Sequence, residues 1–200
     1  MIIDSYVHAT QSACCVDDIR ICHGQSPQRS EMESRLASLV IEGLKRAHVR
    51  FVVGLPDSML AGVYVAAEKD PDIRYVAVTN EAEGASVAAG TWITGGRSVL
   101  VMENSGLRAA CEALARLGLV NGVPVTMLMG YRGDLGERFH WGVNHGMTME
   151  PILKALRIPY WIIDREEQIV PAIGRAVVHG ISSLYHTAVV FRTPLVDEGK

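Results

Sequence analysis

Short apolar runs alternate with longer stretches of helical period along most of this chain. Positions 35–46 set Leu36, Leu39, Val40 and Leu44 on one face, and the apolar run 51–53 follows as a strand. The same alternation predicts a helix from Asp57 to Lys69, a strand at 75–78, a helix at 82–93 stopped by Gly95-Gly96, and a strand at 98–102. It continues with a helix at 106–119, a strand at 125–129, a helix at 151–156, a strand at 161–163, a helix at 166–183 and a strand at 188–191. These strands are apolar throughout rather than alternating, the pattern of a sheet covered on both faces. The expected fold is α/β, a three-layer sandwich around a six-stranded, mainly parallel sheet. It occupies residues 31–200.

Residues 1–30 sustain neither period, and read as a loose extension ahead of a natural start at Met32. Cys14, Cys15, Cys22 and His23 fall there without a second ligand pair at finger-like spacing, so no metal site is expected from this chain. A net charge of −3 offers no basic footprint for nucleic acid. No apolar run is long enough to span a bilayer, and the amino terminus lacks the pattern of an export signal, so the expected location is the cytoplasm, with free thiols.

In parallel sheets ligands gather outside the carboxyl ends of the strands. Four polar, glycine-rich segments fall there: 54–58, 79–81, 103–107 and 130–134. Glu81 and Glu83 begin a helix whose next residues are nearly all small, so something approaches its backbone closely. Acids in a first helical turn also complement the helix dipole without any chemical role. Asp57 suits either proton transfer or an N-cap. Ser105 stands at a strand–turn–helix corner, but a nucleophile elbow needs glycines two before and two after, where this chain has Glu103 and Leu107. Arg132, Arg138, His140 and His145 read as a loop that either clamps an oxyanion or is a solvated surface.

Several fragments recur in order: Gly54-Leu-Pro-Asp-Ser58, Asn80-Glu81, Ala88-Ala-Gly90, Asn104-Ser-Gly-Leu107, Arg132-Gly133 and Ile158-Pro-Tyr160. From about Glu31 to Phe191 the chain resembles the pyrimidine-binding domain of thiamine-diphosphate-dependent decarboxylases, in particular sulfopyruvate decarboxylase α subunits and phosphonopyruvate decarboxylases. The resemblance implies that Glu81 is the cofactor-activating carboxylate, bonded to N1′ of the aminopyrimidine. It further implies a cofactor cleft with Pro56, Asn104, Ser105 and Gly106, proton transfer by Asp57, and substrate contacts from Ser58, Arg108, Arg132, His140 and His145. Arg108-Ala109 stands where those decarboxylases usually carry Gly-Asn, so an added cation bears on which 2-oxo acid fits.

The superfamily's diphosphate and Mg²⁺ ligands, a Gly-Asp-Gly and a downstream Asn, have no match here, since Leu135 follows Gly133-Asp134. The resemblance therefore implies a diphosphate-binding β subunit that holds Mg²⁺, in a hetero-oligomer built on dimers. The expected activity is decarboxylation of a sulfopyruvate- or phosphonopyruvate-like 2-oxo acid to an aldehyde. A carboligase subunit and a non-catalytic scaffold of the same fold are the alternatives.

Overall fold

The computed structural model describes residues 27–192 and Leu195. The cysteines and histidine of the amino-terminal segment, and most of the expected extension, lie outside the described residues. Helix α1 (Pro27–Arg46) leads to β1 (Phe51–Gly54), α2 (Ala61–Lys69), β2 (Arg74–Ala77), α3 (Glu81–Ile93), β3 (Ser98–Glu103) and α4 (Gly106–Leu114). A π-helical turn, Ala115–Val120, prolongs α4. Then come β4 (Thr126–Gly130), α5 (His140–Ala155), β5 (Tyr160–Ile163), a 3₁₀ turn (Glu166–Gln168), α6 (Ile169–Ser183) and β6 (Thr187–Phe191).

Every strand pairing is parallel, so the sheet is wholly rather than mainly so. Each β–α–β unit leaves one face of the sheet for the next strand, and continuous apolar sequence follows because both faces are covered. On one face Val52, Val99, Val101, Leu128 and Val189 pack with α1, α2 and α6. On the other Val53, Leu100, Met102, Met127 and Val190 pack with α3, α4 and α5. The period-two alternation along β3 decides which core each side chain enters. In α1, Leu36, Val40 and Leu44 recur every four residues and are buried, which fixes the helix's inward stripe.

The strand order is β2-β1-β3-β4-β6-β5. β1 connects through α2 on one face to β2, its neighbour on one side. β3, its neighbour on the other side, connects through α4 on the opposite face to β4. The two connections diverge above the carboxyl ends of β1 and β3, and that topological switch point leaves a crevice by construction. A small concavity lies elsewhere, at the amino ends of β3 and β4 beside Ser98, Thr126 and Gly180. It contains none of the candidate residues.

Candidate active site

Two acids open α3, and their surroundings differ. Asn80 is the N-cap, its side chain accepting from the Glu83 backbone N–H at 2.9 Å. Glu83 reaches back to accept from both the N–H and the hydroxyl of Thr79, each at 2.7 Å, and these bonds hold its carboxyl below the usual range. Glu83 is thus engaged in ending its own helix. Glu81 has no hydrogen-bond partner among the described residues. Since among the described residues none of the half-buried or buried side chains leaves a buried polar atom unpartnered, the half-buried Glu81 carboxylate must meet the surface.

Gly106, the first residue of α4, is why Glu81 fits. A Cβ at that position would fall 2.6 Å from Glu81 Oε1, closer than real atoms approach. The glycine lets the carboxylate of α3 lie across the start of α4, at the rim of the β1–β3 crevice. Ser105 precedes it, half-buried and making no cap bond.

Asp57 lies at the end of β1. Its Oδ1 accepts from the N–H groups of Met59 (2.8 Å) and Leu60 (3.0 Å), and its Oδ2 from the Tyr64 hydroxyl at 2.7 Å. The capping reading is realised as a turn before the helix, so α2 begins at Ala61 rather than Asp57. Burial pushes the Asp57 carboxyl up from its ordinary value against the three donors that favour the anion, and Glu103 adds to the rise. Tyr64 is buried, and it feels the negative charge of both Asp57 and Glu81, which links the two carboxylates through one phenol. Pro56 and Ser58 flank Asp57 on the exposed side of the turn.

A second group of charges fills the ends of β3 and β4. Glu103 accepts from Arg132 Nε at 3.4 Å through one oxygen and pairs with His145 Nδ1 at 3.2 Å through the other. Arg132 is also 3.7 Å from Glu137, lies over the Trp141 ring at 5.3 Å, and reaches Ser58 Oγ at 3.5 Å. Asn104 is buried, and both ends of its amide hold the Arg132 backbone: Nδ2 donates to the carbonyl at 2.8 Å and Oδ1 accepts from the N–H at 3.0 Å. Its side chain is a tie between two loops rather than a lining of the cleft. Arg108 Nη1 donates to Asn144 Oδ1 at 2.7 Å, a neutral partner. Among the described residues no group of three or more His, Cys, Asp or Glu is placed to hold a metal ion.

The structure corrects the reading of 132–145 as one loop. Arg132 and Arg138 precede α5, whereas His140 and His145 belong to it; His140 is exposed at its start, and His145 faces Glu103 one turn and a half later. Residues that sequence reasoning missed are Tyr64, Glu103, Glu137, Trp141 and Asn144. Tyr64 sits four residues after Leu60 on the inward face of α2, a spacing that could have found it. Glu103 opens the polar segment 103–107 at the end of a strand, a signal that could have found it, whereas Glu137 carries no local signal.

The family model described as thiamine pyrophosphate enzyme, N-terminal TPP binding domain, matches residues 34–155. The sulfopyruvate decarboxylase subunit alpha of Methanothermobacter thermautotrophicus is 37% identical over 121 residues, 60% of this chain and 73% of that protein. The corresponding subunit of Methanococcus maripaludis is 28% identical over 151 residues, 76% of this chain and 90% of its own. The phosphonopyruvate decarboxylase of Streptomyces viridochromogenes is 35% identical over 102 residues, 51% of this chain but 26% of that protein. With Glu81 open at the switch point of a parallel sheet and the family model spanning most of both core faces, this chain belongs to the thiamine pyrophosphate enzymes, as a carrier of their N-terminal cofactor-binding domain.

Proposed function

We propose that this chain is the pyrimidine-binding subunit of a thiamine-diphosphate-dependent decarboxylase that converts a sulfopyruvate- or phosphonopyruvate-like 2-oxo acid to an aldehyde and CO₂. The observation that carries the reading is the unpartnered Glu81 carboxylate seated against Gly106 at the crevice. A carboxyl group that meets the surface there can hydrogen-bond a ring nitrogen and exchange a proton with it. When bound, the cofactor supplies a thiazolium that accepts the electron pair released as CO₂ departs. The chain's own part is to hold the ring, control its protonation through Glu81, and keep Asp57 across the crevice as a second acid–base group.

Relatives named as α subunits, matched over most of their own length, support a separate partner polypeptide. That partner would hold the diphosphate and Mg²⁺, with the cofactor lying between the two chains. Arg108 is the better candidate for the substrate's sulfonate or phosphonate, because its partner Asn144 leaves its charge uncompensated, whereas Arg132 faces two carboxylates. The test is to combine the chain with a partner bearing Gly-Asp-Gly and a downstream Asn, and to measure CO₂ release from both 2-oxo acids with thiamine diphosphate and Mg²⁺. Glu81→Gln is expected to abolish turnover while the complex still assembles. Full activity in that variant would remove the assignment.

A further inference from the structure

Tyr64 has no part in the chemistry proposed above, yet the end of β1 is built around it. It is 3% exposed, on the inward face of α2, with the Tyr75 ring 5.7 Å away on one side. A Cβ on Gly54 would fall 2.8 Å from Tyr64 Cε1 and 2.5 Å from the Val101 carbonyl oxygen, so only a glycine there lets the phenol pass against the strand. The hydroxyl stands between two acceptors, 2.7 Å from Asp57 Oδ2 and 3.2 Å from the Val101 carbonyl oxygen. A phenol carries one hydrogen, so only one of these bonds is fully formed at a time.

The turn after β1 decides where Asp57 can take a proton. Oδ1 is occupied by the Met59 and Leu60 N–H groups, at 2.8 and 3.0 Å, and backbone donors cannot turn away. A proton on this carboxyl therefore settles on Oδ2, against the Tyr64 oxygen. While Asp57 is ionised, the phenol donates to Oδ2, a charge-assisted bond that wins over the neutral carbonyl. Once Asp57 is protonated, Oδ2–H donates to the phenol oxygen and the phenol hydrogen turns to Val101. Either way every polar atom keeps a partner. The groups that face Asp57 from other elements are Glu103 at the end of β3, Tyr75 of β2, Glu81 of α3 by way of the phenol, and Arg132, which reaches Ser58. None of them is a cation bonded to the carboxylate, and of its three donors the phenol alone can turn. We propose that Tyr64 is the positioning residue of Asp57, a hydroxyl rotor that reverses one hydrogen bond as the carboxyl gains and loses its proton. The proton enters and leaves at Oδ2, and the phenol keeps its own hydrogen throughout. That the rotor serves turnover rests on the decarboxylase reading above.

The test is Tyr64→Phe in the full chain without cofactor, with the Asp57 carboxyl followed through pH by ¹³C NMR and assigned by its loss in Asp57→Asn. A charge-assisted bond is roughly twice as strong as a neutral one, so removing the phenol costs the anion more than the acid. The Asp57 midpoint is expected to move to higher pH; a midpoint unmoved or lowered would overturn the proposal. The rotor itself is read in the unaltered chain, and so stays testable should Tyr64→Phe fail to fold. There the ¹³Cζ resonance of Tyr64 is expected to shift at the Asp57 midpoint, and not in Asp57→Asn. A resonance flat through that pH, or a shift that persists in Asp57→Asn, contradicts it. In the complex with the diphosphate-binding partner, the limb of the kcat/KM profile set by Asp57 should move upward in Tyr64→Phe at unchanged affinity for thiamine diphosphate. A tyrosine that merely fills space would lower kcat/KM by one factor at every pH, and that result removes the rotor from turnover. Were the unaltered complex to release CO₂ from neither 2-oxo acid, the decarboxylase reading would fall, while the two NMR titrations would still decide the rotor.

Discussion

At the scale of single residues the site is a matter of which polar atoms are already satisfied. Glu81 and Glu83 are the same residue type, two positions apart, in the same helical turn. Only the bonds from Thr79 separate the one that closes its helix's first turn from the one left without a hydrogen-bond partner among the described residues. Gly106 is the complement of Glu81, and Gly106→Ala would push the carboxylate off the start of α4. We expect cofactor affinity in the partner complex to fall about tenfold or more, with a stability loss of about 1–3 kcal/mol, checked by cofactor titration and melting. Arg108→Gln should raise KM for a sulfonate- or phosphonate-bearing substrate roughly 10- to 100-fold with little change in kcat, because a charge-assisted contact is lost.

Asp57 gives a signed stability prediction at the same scale. Its carboxyl is raised in the fold above its unfolded value, so its stabilising contribution is complete below about pH 4 and is lost as pH rises through the folded value. At neutral pH the buried anion therefore lowers stability. Asp57→Asn should melt at or above the temperature of the unaltered chain at pH 7, by about 2–4 °C for each kcal/mol relieved, and the gap should close toward pH 4. Tyr64 can then donate to the Val101 carbonyl, already 3.2 Å away, so no donor is stranded. Turnover in the partner complex should fall in the same variant.

At the scale of elements, helix and strand positions were largely legible, and the departures have local causes. Pro151 reads as a helix start, since proline suits a first turn, yet α5 begins at His140 and carries Pro151 inside. Burial of Met149 and Leu153 against the sheet outweighs the missing N–H. The expected α-helix to residue 119 becomes a π turn after Leu114. There His186 lies against Gly118, where a Cβ would come 2.5 Å from its Nε2. His186 accepts from the Val125 N–H through Nδ1 at 3.0 Å and donates from Nε2 to the Leu114 carbonyl at 2.8 Å, tying β6 to α4 and the start of β4. Burial lowers its proton affinity, so the ring is neutral in the fold. Its contribution is present above the unfolded value, about 6.5, and is lost as pH falls below it toward the lowered folded value. Melting temperature should decline from about pH 6.5 toward pH 5 more steeply in the unaltered chain than in His186→Gln.

At the scale of the whole molecule, the crevice at the switch point follows from strand order, because the connections after β1 and β3 leave on opposite faces. Nothing about that order is written in any one segment. If the diphosphate and metal are held by a partner, this chain alone should bind thiamine and thiamine diphosphate equally weakly. A preference for the diphosphate should arise only when the partner is added, and calorimetric titration of the two ligands checks it.

By itself the sequence determined the fold class, since apolar period and turn residues act locally and both faces of a parallel sheet demand continuous apolar strands. It also placed Glu81 and Glu83 together at the start of a small-residue helix, because that is a local pattern. Tertiary structure alone decided that Glu83 is engaged and Glu81 is not, that Asn104 ties loops together, and that Arg132 is neutralised by Glu103 and Glu137. These depend on which side chains meet across strands that are distant along the chain, and a hydrogen bond or ion pair leaves no periodic trace in the residues that make it.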